Sequence, residues 1–236
     1  MIVFVISSMS NVPVLYSYFR SSCSYRVRIV LNLKKIPHRI VPINLLKEEQ
    51  KHSVLLNLNP QRTVPALFIK GQLLTQSLAI IDYLDGVHHE PSMCPRDELV
   101  RSRVLAAALI CTADTQPLHN SAVLQNLPED QRTPWALWAN RRGLTALELH
   151  AREFGSDKFC VGDAISMADV CLAPQVYAAE RFGVDVNKEF PTIARIHSHL
   201  MVMPEFRKAH PHAQSDCPVE LQTNFREIPK PAEFRT

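Results

Sequence analysis

The sequence predicts a chain in two parts, a mixed α/β unit followed by an all-α half. Short apolar runs alternate with helical periodicity from Val14 to Tyr83. Composition then turns to His, Pro and Ser between His88 and Pro95, and every patterned segment after Glu98 has helical spacing. The expected boundaries are an α/β domain over 12–87, a linker over 88–97, a helical domain over 98–212 and a tail over 213–236.

Each element has its own signal. Val14 to Tyr18 is an apolar run of strand length. Ser24 to Leu33 reads as a helix because Val27, Val30, Leu31 and Leu33 share one face. Arg39 to Ile43 is a second strand, and Leu55 to Leu58 a short helical segment. Ala66 to Ile69 and Leu73 to Leu74, joined through Lys70-Gly71-Gln72, make an antiparallel hairpin. Ser77 to Leu84 closes the unit as a helix, for an order β-α-β-α-β-β-α. In the second half Val100, Val104, Ala108 and Cys111 repeat at helical spacing, and Pro117 should kink that stretch by removing a backbone donor. Thr133-Pro134 reads as a helix start, with a capping hydroxyl and a proline at the first position. Ser166-Met167-Ala168-Asp169 is a capping box flanked by Ile165 and Val170 as a hydrophobic staple, and its helix should run toward Arg181. Pro191 opens a further helix, and from about Pro211 the chain reads as a polar, draped tail.

Composition excludes several classes. With 46% apolar and 21% charged residues the chain is an ordinary globular one. A net charge of +3 is too small to imply nucleic acid, and no apolar run is long enough to span a membrane. The opening Met1 to Ile6 lacks a basic flank and reads as an untargeted end. Six cysteines, scattered without a CxxC pair, suit reduced, buried thiols in a cytoplasmic protein. Surface positions are the default for the ten histidines, whose spacing supports no metal site, and the six glycines form no nucleotide cradle. Trp135 and Trp138, at helical spacing, read as core or interface residues.

One run points to chemistry. Ser21-Ser22-Cys23-Ser24-Tyr25-Arg26-Val27-Arg28 sits where the first strand passes into the first helix. The first N–H groups of a helix have no intrahelical acceptor and carry positive partial charge, so hydroxyls, a thiol and two arginines at such a junction suit an anion. Arg20, Arg26, Arg28, Lys34, Lys35 and Arg39 crowd this region, with no acid before Glu48. That bias fits a small acidic ligand, and equally a solvated helix face.

The Val64-Pro65 step before the third strand, Gln76-Ser77 at the start of the last α/β helix, and Val161-Gly162-Asp163 ahead of the Ser166 capping box together resemble the glutathione transferases. The segment from Tyr16 to Ile29, with its Ser-Ser-Cys followed by an aromatic residue and Arg-Val-Arg-Ile, is similar to the zeta class of that family. Val41 to Leu45, Gln116-Pro117-Leu118 and Ala179 to Phe182 agree with the same class. Tyr25 departs from it, standing where tryptophan is commoner, and Lys47 to His52 is shorter than usual.

The resemblance implies a thioredoxin-like first domain with a cis Val64-Pro65 bond, an all-helical second domain, glutathione as cofactor and a homodimer. It implies cis–trans isomerisation of maleylacetoacetate, a small dicarboxylate, in phenylalanine and tyrosine breakdown, and glutathione transfer to small α-halo acids. The glutathione site then takes Ser21, Ser22, Cys23, Ser24, Tyr25 and Arg26, the Val64 backbone, Gln76 and Ser77 for the γ-glutamyl end, and Gln116 and Asn120. Ser21 or Ser22 would donate to the sulfur, and the resemblance favours Ser21. A thiol of reference pKa ~8.5 is mostly protonated at neutral pH, so such a donor must lower it. Arg181, with Arg20 or Arg26, would supply cations for substrate carboxylates and the developing enolate. Other readings stand beside these: Cys23 as the reactive thiol of a monothiol oxidoreductase, Gln76-Ser77 as a plain cap, Gln116 and Asn120 as helix-packing residues, and Arg181 as a cation balancing a helix C-terminus.

Overall fold

The structure, a computed structural model, describes residues 12–49, 59 and 61–226. Leu55 to Leu58, the opening Met1 to Ile6 and the end of the Lys47 to His52 segment lie outside them. Two compact units emerge. One comprises the described residues up to Glu90 together with those from Arg207, and the other runs from Pro91 to Phe206.

The first unit holds a four-stranded sheet of order β2-β1-β3-β4, with β1 at Val14–Ser17, β2 at Arg39–Pro42, β3 at Ala66–Ile69 and β4 at Gln72–Thr75. β1 runs parallel to β2, pairing Val14 with Arg39, and antiparallel to β3, pairing Leu15 with Leu67. β3 and β4 form the expected hairpin, whose turn residues Lys70 and Gly71 have φ of 48° and 76°. Two positive values in succession make the turn whose twist matches the strands it joins. The Val64-Pro65 peptide bond is cis, as the resemblance implied.

Helix α1 spans Ser22–Leu33, starting two residues before the periodicity suggested because Ser21 takes the N-cap position. It packs against α2, Ser77–Val87, through a core that includes Val27, Leu31, Ile80, Ile81 and Leu84. At their C-terminal ends the Lys34 ammonium bridges the Asp85 carboxylate at 2.8 Å and the His88 carbonyl.

The segment from Arg207 is packed rather than draped. A 3₁₀ turn at Pro211–Ala213 is followed by a helix at Val219–Arg226. Cys217 is buried among Tyr18, Phe19, Ile43 and Val64, with Leu221 against the same cluster. These apolar side chains in an otherwise polar stretch account for the packing.

The second unit is helical among its described residues. Its elements are α3 (Glu98–Leu109), α4 (Ser121–Leu124), α5 (Glu129–Phe154), α6 (Met167–Arg181), α7 (Val186–Glu189), α8 (Pro191–Val202) and α9 (Pro204–Ala209), which crosses into the first unit. The break expected at Pro117 is a change of helix type. A π-helical turn at Ile110–Thr115 follows α3, and a 3₁₀ turn at Gln116–His119 follows that. The Thr115 hydroxyl donates to the Ile110 carbonyl at 2.6 Å, and Gly143 on α5 gives Thr115 the room to pack. A Cβ at Gly143 would lie 1.9 Å from Thr115 Oγ1.

The start expected at Thr133-Pro134 is corrected. α5 begins at Glu129 behind Pro128, and Pro134 lies inside it. Glu129 and Asp130 in the first turn complement the helix dipole, which favours the earlier start at the cost of the one backbone bond Pro134 cannot make. The Ser166 capping box is present, with Ser166 N–H donating to Asp169 at 2.9 Å, and Pro191 opens α8. The α8 N-terminus is capped from a distance: Glu148 on α5 accepts the N–H groups of Thr192 and Ile193 at 3.1 and 2.9 Å. Among the described residues no helix is long and apolar enough to cross a membrane, and no cluster of His, Cys, Asp and Glu is arranged to hold a metal ion.

None of the six cysteines is in a disulfide, and Cys111, Cys160, Cys171 and Cys217 are buried. The surface default fails for His119, only 4% exposed, while His197 is half-buried, its pKa pushed down to about 4 by desolvation. Trp135 and Trp138 are exposed on α5, their ring centroids 5.0 Å apart.

Candidate functional site

The chain rises along β1, turns at Tyr18 to Arg20 and enters α1 at Ser22. Ser21 holds the junction: its N–H donates to the Tyr18 carbonyl at 3.0 Å, and its Oγ accepts the Ser24 N–H at 3.2 Å. Because the oxygen is engaged as an acceptor, the hydroxyl proton remains to be donated. Ser21, Ser22 and Cys23 are partly exposed at the helix start, where N-terminal N–H groups favour an anion.

The following residues turn inward. Ser24 and Tyr25 are 0% exposed and Arg26 is 1% exposed. From Ser24 to Leu31 every residue of α1 is buried. Tyr25 packs edge-on against His210 at 5.9 Å. Arg26 lies behind the site, its Nη1 donating to Ser77 Oγ at 3.2 Å and lying 3.6 Å from Cys23 Sγ. One guanidinium thus joins the starts of α1 and α2. Arg28 is also buried and donates to Ser17 Oγ at 2.9 Å and to the carbonyls of Phe19 and Ala209 at 3.0 and 2.9 Å.

Ser77 is the first residue of α2, and Gln76 before it has φ 66° and ψ 117°. A non-glycine residue held at positive φ costs of order 1 to 3 kcal/mol, and such conformations concentrate at functional positions. The Gln76 side chain does not cap the helix and instead donates to Gln61 Oε1 at 2.6 Å. Gln61 belongs to a turn organised by the buried Asn59, whose amide donates to the Thr63 carbonyl at 2.9 Å. That turn leads to Val64, which shares an apolar cluster with Tyr18 and Phe19. The first unit therefore brings together Ser21, Ser22, Cys23, Val64, Gln76 and Ser77. A hydroxyl donor, two helix starts and a cation behind Ser77 fit a ligand carrying a thiolate and a carboxylate.

In the second unit Gln116 opens the 3₁₀ turn, and exposed Asn120 caps α4, its Oδ1 accepting the Ala122 N–H at 3.1 Å. Arg181 ends α6, exposed, with its guanidinium 4.5 Å from the centre of the Phe182 ring. Phe182 packs edge-on against His119 at 5.6 Å, which ties the end of α6 to the turn bearing Gln116 and Asn120. Behind that turn, Gln175 Nε2 donates to Asn140 Oδ1 at 2.7 Å and lies 3.2 Å from His119 Nε2. Sequence reasoning missed this buried trio, as it missed Asn59 and Gln61. The Asn59-Pro60-Gln61 turn pattern was the one local signal available.

The family models "Glutathione S-transferase, N-terminal domain" and "Glutathione S-transferase, C-terminal domain" match residues 20–87 and 108–204. Maleylacetoacetate isomerase of Rattus norvegicus is 46% identical over 213 residues, covering 89% of this chain and 98% of the relative. Among solved structures, maleylacetoacetate isomerase of Anaeromyxobacter dehalogenans is 38% identical with a TM-score of 0.79, covering 88% of this chain and 98% of that one. It has been solved with GSH in the active site, and also with dicarboxyethyl glutathione and citrate there. A bacterial maleyl pyruvate isomerase of the zeta class is 34% identical with a TM-score of 0.83, covering 87% of this chain and 100% of that one.

Proposed function

Since this chain belongs to the zeta-class glutathione transferases, the family of the maleylacetoacetate isomerases, we propose that it is a glutathione-dependent enzyme converting maleylacetoacetate to fumarylacetoacetate. The observation that carries the reading is Ser21, whose oxygen is fixed by the Ser24 N–H and whose proton is thereby left for a sulfur at the start of α1. When bound, glutathione supplies the thiolate that adds to the cis double bond and, after rotation about the resulting single bond, is expelled unchanged.

This chain's residues set the conditions for that exchange. The Ser21 hydroxyl and the α1 N-terminus hold the sulfur as an anion, each contributing about 1 kcal/mol toward ionisation. The Val64 backbone lines up the cysteinyl part, while Gln76 and the Ser77 hydroxyl receive the γ-glutamyl carboxylate. Arg26 strengthens Ser77 as a donor from behind. Ser22 and Cys23 shape the pocket beside the sulfur. Gln116 and Asn120 contact glutathione, and Arg181 binds a substrate carboxylate and stabilises the charge that develops on the adjacent carbonyl. The same thiolate and cations suit glutathione transfer to small α-halo acids. We assign the protein to the cytoplasm and to a homodimer, which its family membership and the exposed Leu99 and Leu109 on α3 support.

The test is to mix pure protein, glutathione and maleylacetone and follow loss of the cis isomer. Turnover that requires glutathione, with retention on immobilised glutathione, is the expected result. Retention without turnover would reduce the protein to a binding module.

A further inference from the structure

We propose that Asp216, in the segment that the sequence read as a tail, is a positioning residue for the turn that presents Ser21. Asp216 Oδ2 accepts the Phe19 N–H at 2.8 Å, a bond between residues 197 positions apart. A carboxylate accepting a backbone N–H makes one of the stronger hydrogen bonds in a protein. The other backbone groups of the turn are also engaged. The Phe19 carbonyl accepts from Arg28 Nη2 at 3.0 Å, and the Tyr18 carbonyl accepts from Ser21 N–H at 3.0 Å and Arg28 Nη1 at 3.3 Å. Arg28 is itself fixed by the Ala209 carbonyl, which belongs to the same C-terminal segment.

Packing repeats the arrangement. Cys217 sits beside Asp216 and is buried with Tyr18, Phe19 and Val64, so a single stretch of chain contacts both the turn before Ser21 and the residue before the cis proline. The chain on either side of Asp216 is held in place: Gln214 donates from its amide to the carbonyls of Lys208 and His210 at 2.8 and 3.0 Å, and Cys217 N–H donates to the Gln214 carbonyl at 3.1 Å. The segment thus clamps the Tyr18–Ser21 turn. Its contribution to reaction is indirect, through the aim of the Ser21 hydroxyl, and this rests on the reading of Ser21 as the thiol donor.

The variants are Asp216→Ala, which deletes the acceptor, and Asp216→Asn, which keeps a neutral one. Asp216→Ala should lower kcat/KM for the isomerase reaction about tenfold. The acidic limb of its pH–rate profile should move to higher pH, because a less well aimed hydroxyl leaves the bound thiol harder to ionise. Asp216→Asn should recover most of the loss. Amide hydrogen exchange at Phe19 should quicken in the order wild type, Asn, Ala, with or without glutathione. Exchange at Phe19 unchanged in the folded variants would overturn the proposal, as would a fall in kcat/KM with an unmoved pH profile. If Asp216→Ala does not fold, the Asn variant decides on the same measurements. Absence of wild-type isomerase turnover would remove the proposed reaction, whereas the exchange comparison and thiolate absorbance of bound glutathione would still judge Asp216.

Discussion

Arg26 Nη1 donates to Ser77 Oγ across a separation of 51 residues, at 3.2 Å and in a buried setting. That bond makes the α2 start more than a helix cap, because a hydroxyl accepting from a guanidinium is polarised to donate its own proton onward. Ser77→Ala should raise KM for glutathione about tenfold while kcat stays within about twofold, as expected for a contact made equally in the ground and transition states. Steady-state kinetics with glutathione varied checks the split.

Ser21→Ala removes the proposed thiol donor and an N-cap together. Loss of the cap should cost about 1 kcal/mol of stability, read as a lower thermal midpoint. Loss of the donor should reduce kcat about 100-fold and shift the acidic limb of the pH–rate profile upward, since the bound thiol then ionises less readily. Cys23→Ser should keep kcat within about threefold; if instead it abolished activity while Ser21→Ala did not, the monothiol route would replace this one.

Gly143→Ala places a methyl group where Thr115 already is. The new carbon would lie 2.7 Å from Thr115 Cβ as well as 1.9 Å from its Oγ1, so no side-chain rotation relieves the clash. A loss of about 1 to 3 kcal/mol is expected, visible as a reduced midpoint in thermal or urea unfolding.

His197 and Asp169 give stability opposite slopes in acid. His197 is held neutral by burial with a pKa of about 4, against an ordinary value of 6.5. The unfolded chain therefore binds the proton more readily, and this contribution, full above pH 6.5, is lost as pH falls toward 4. Burial raises Asp169 from 3.8 to about 6, so its contribution is full below 3.8 and is lost as pH rises through 6. His197→Gln should flatten the acid decline of the melting temperature between pH 6.5 and 4, which calorimetry across that range will show.

What could be read in the sequence was whatever is decided within a few residues. The Ser21 cap, the Lys70-Gly71 turn, the Ser166 to Asp169 capping box and Pro191 at the start of α8 all act over three or four positions. Thr133-Pro134 misled because its local pattern competes with Pro128-Glu129-Asp130, which begins the helix earlier. The burial of Ser24, Tyr25 and Arg26 depends on the elements packed around α1, which adjacency in sequence does not report. Distant partners left no local trace: Glu148 with Thr192, Gln175 with His119 and Asn140, and Asp216 with Phe19 are 35 to 197 residues apart.

The Asp216 bond also reaches back to biosynthesis. The Phe19 amide and its Asp216 acceptor stand 197 residues apart, with the helical unit made in between. During synthesis the turn before Ser21 therefore lacks this acceptor until the helical unit has been made.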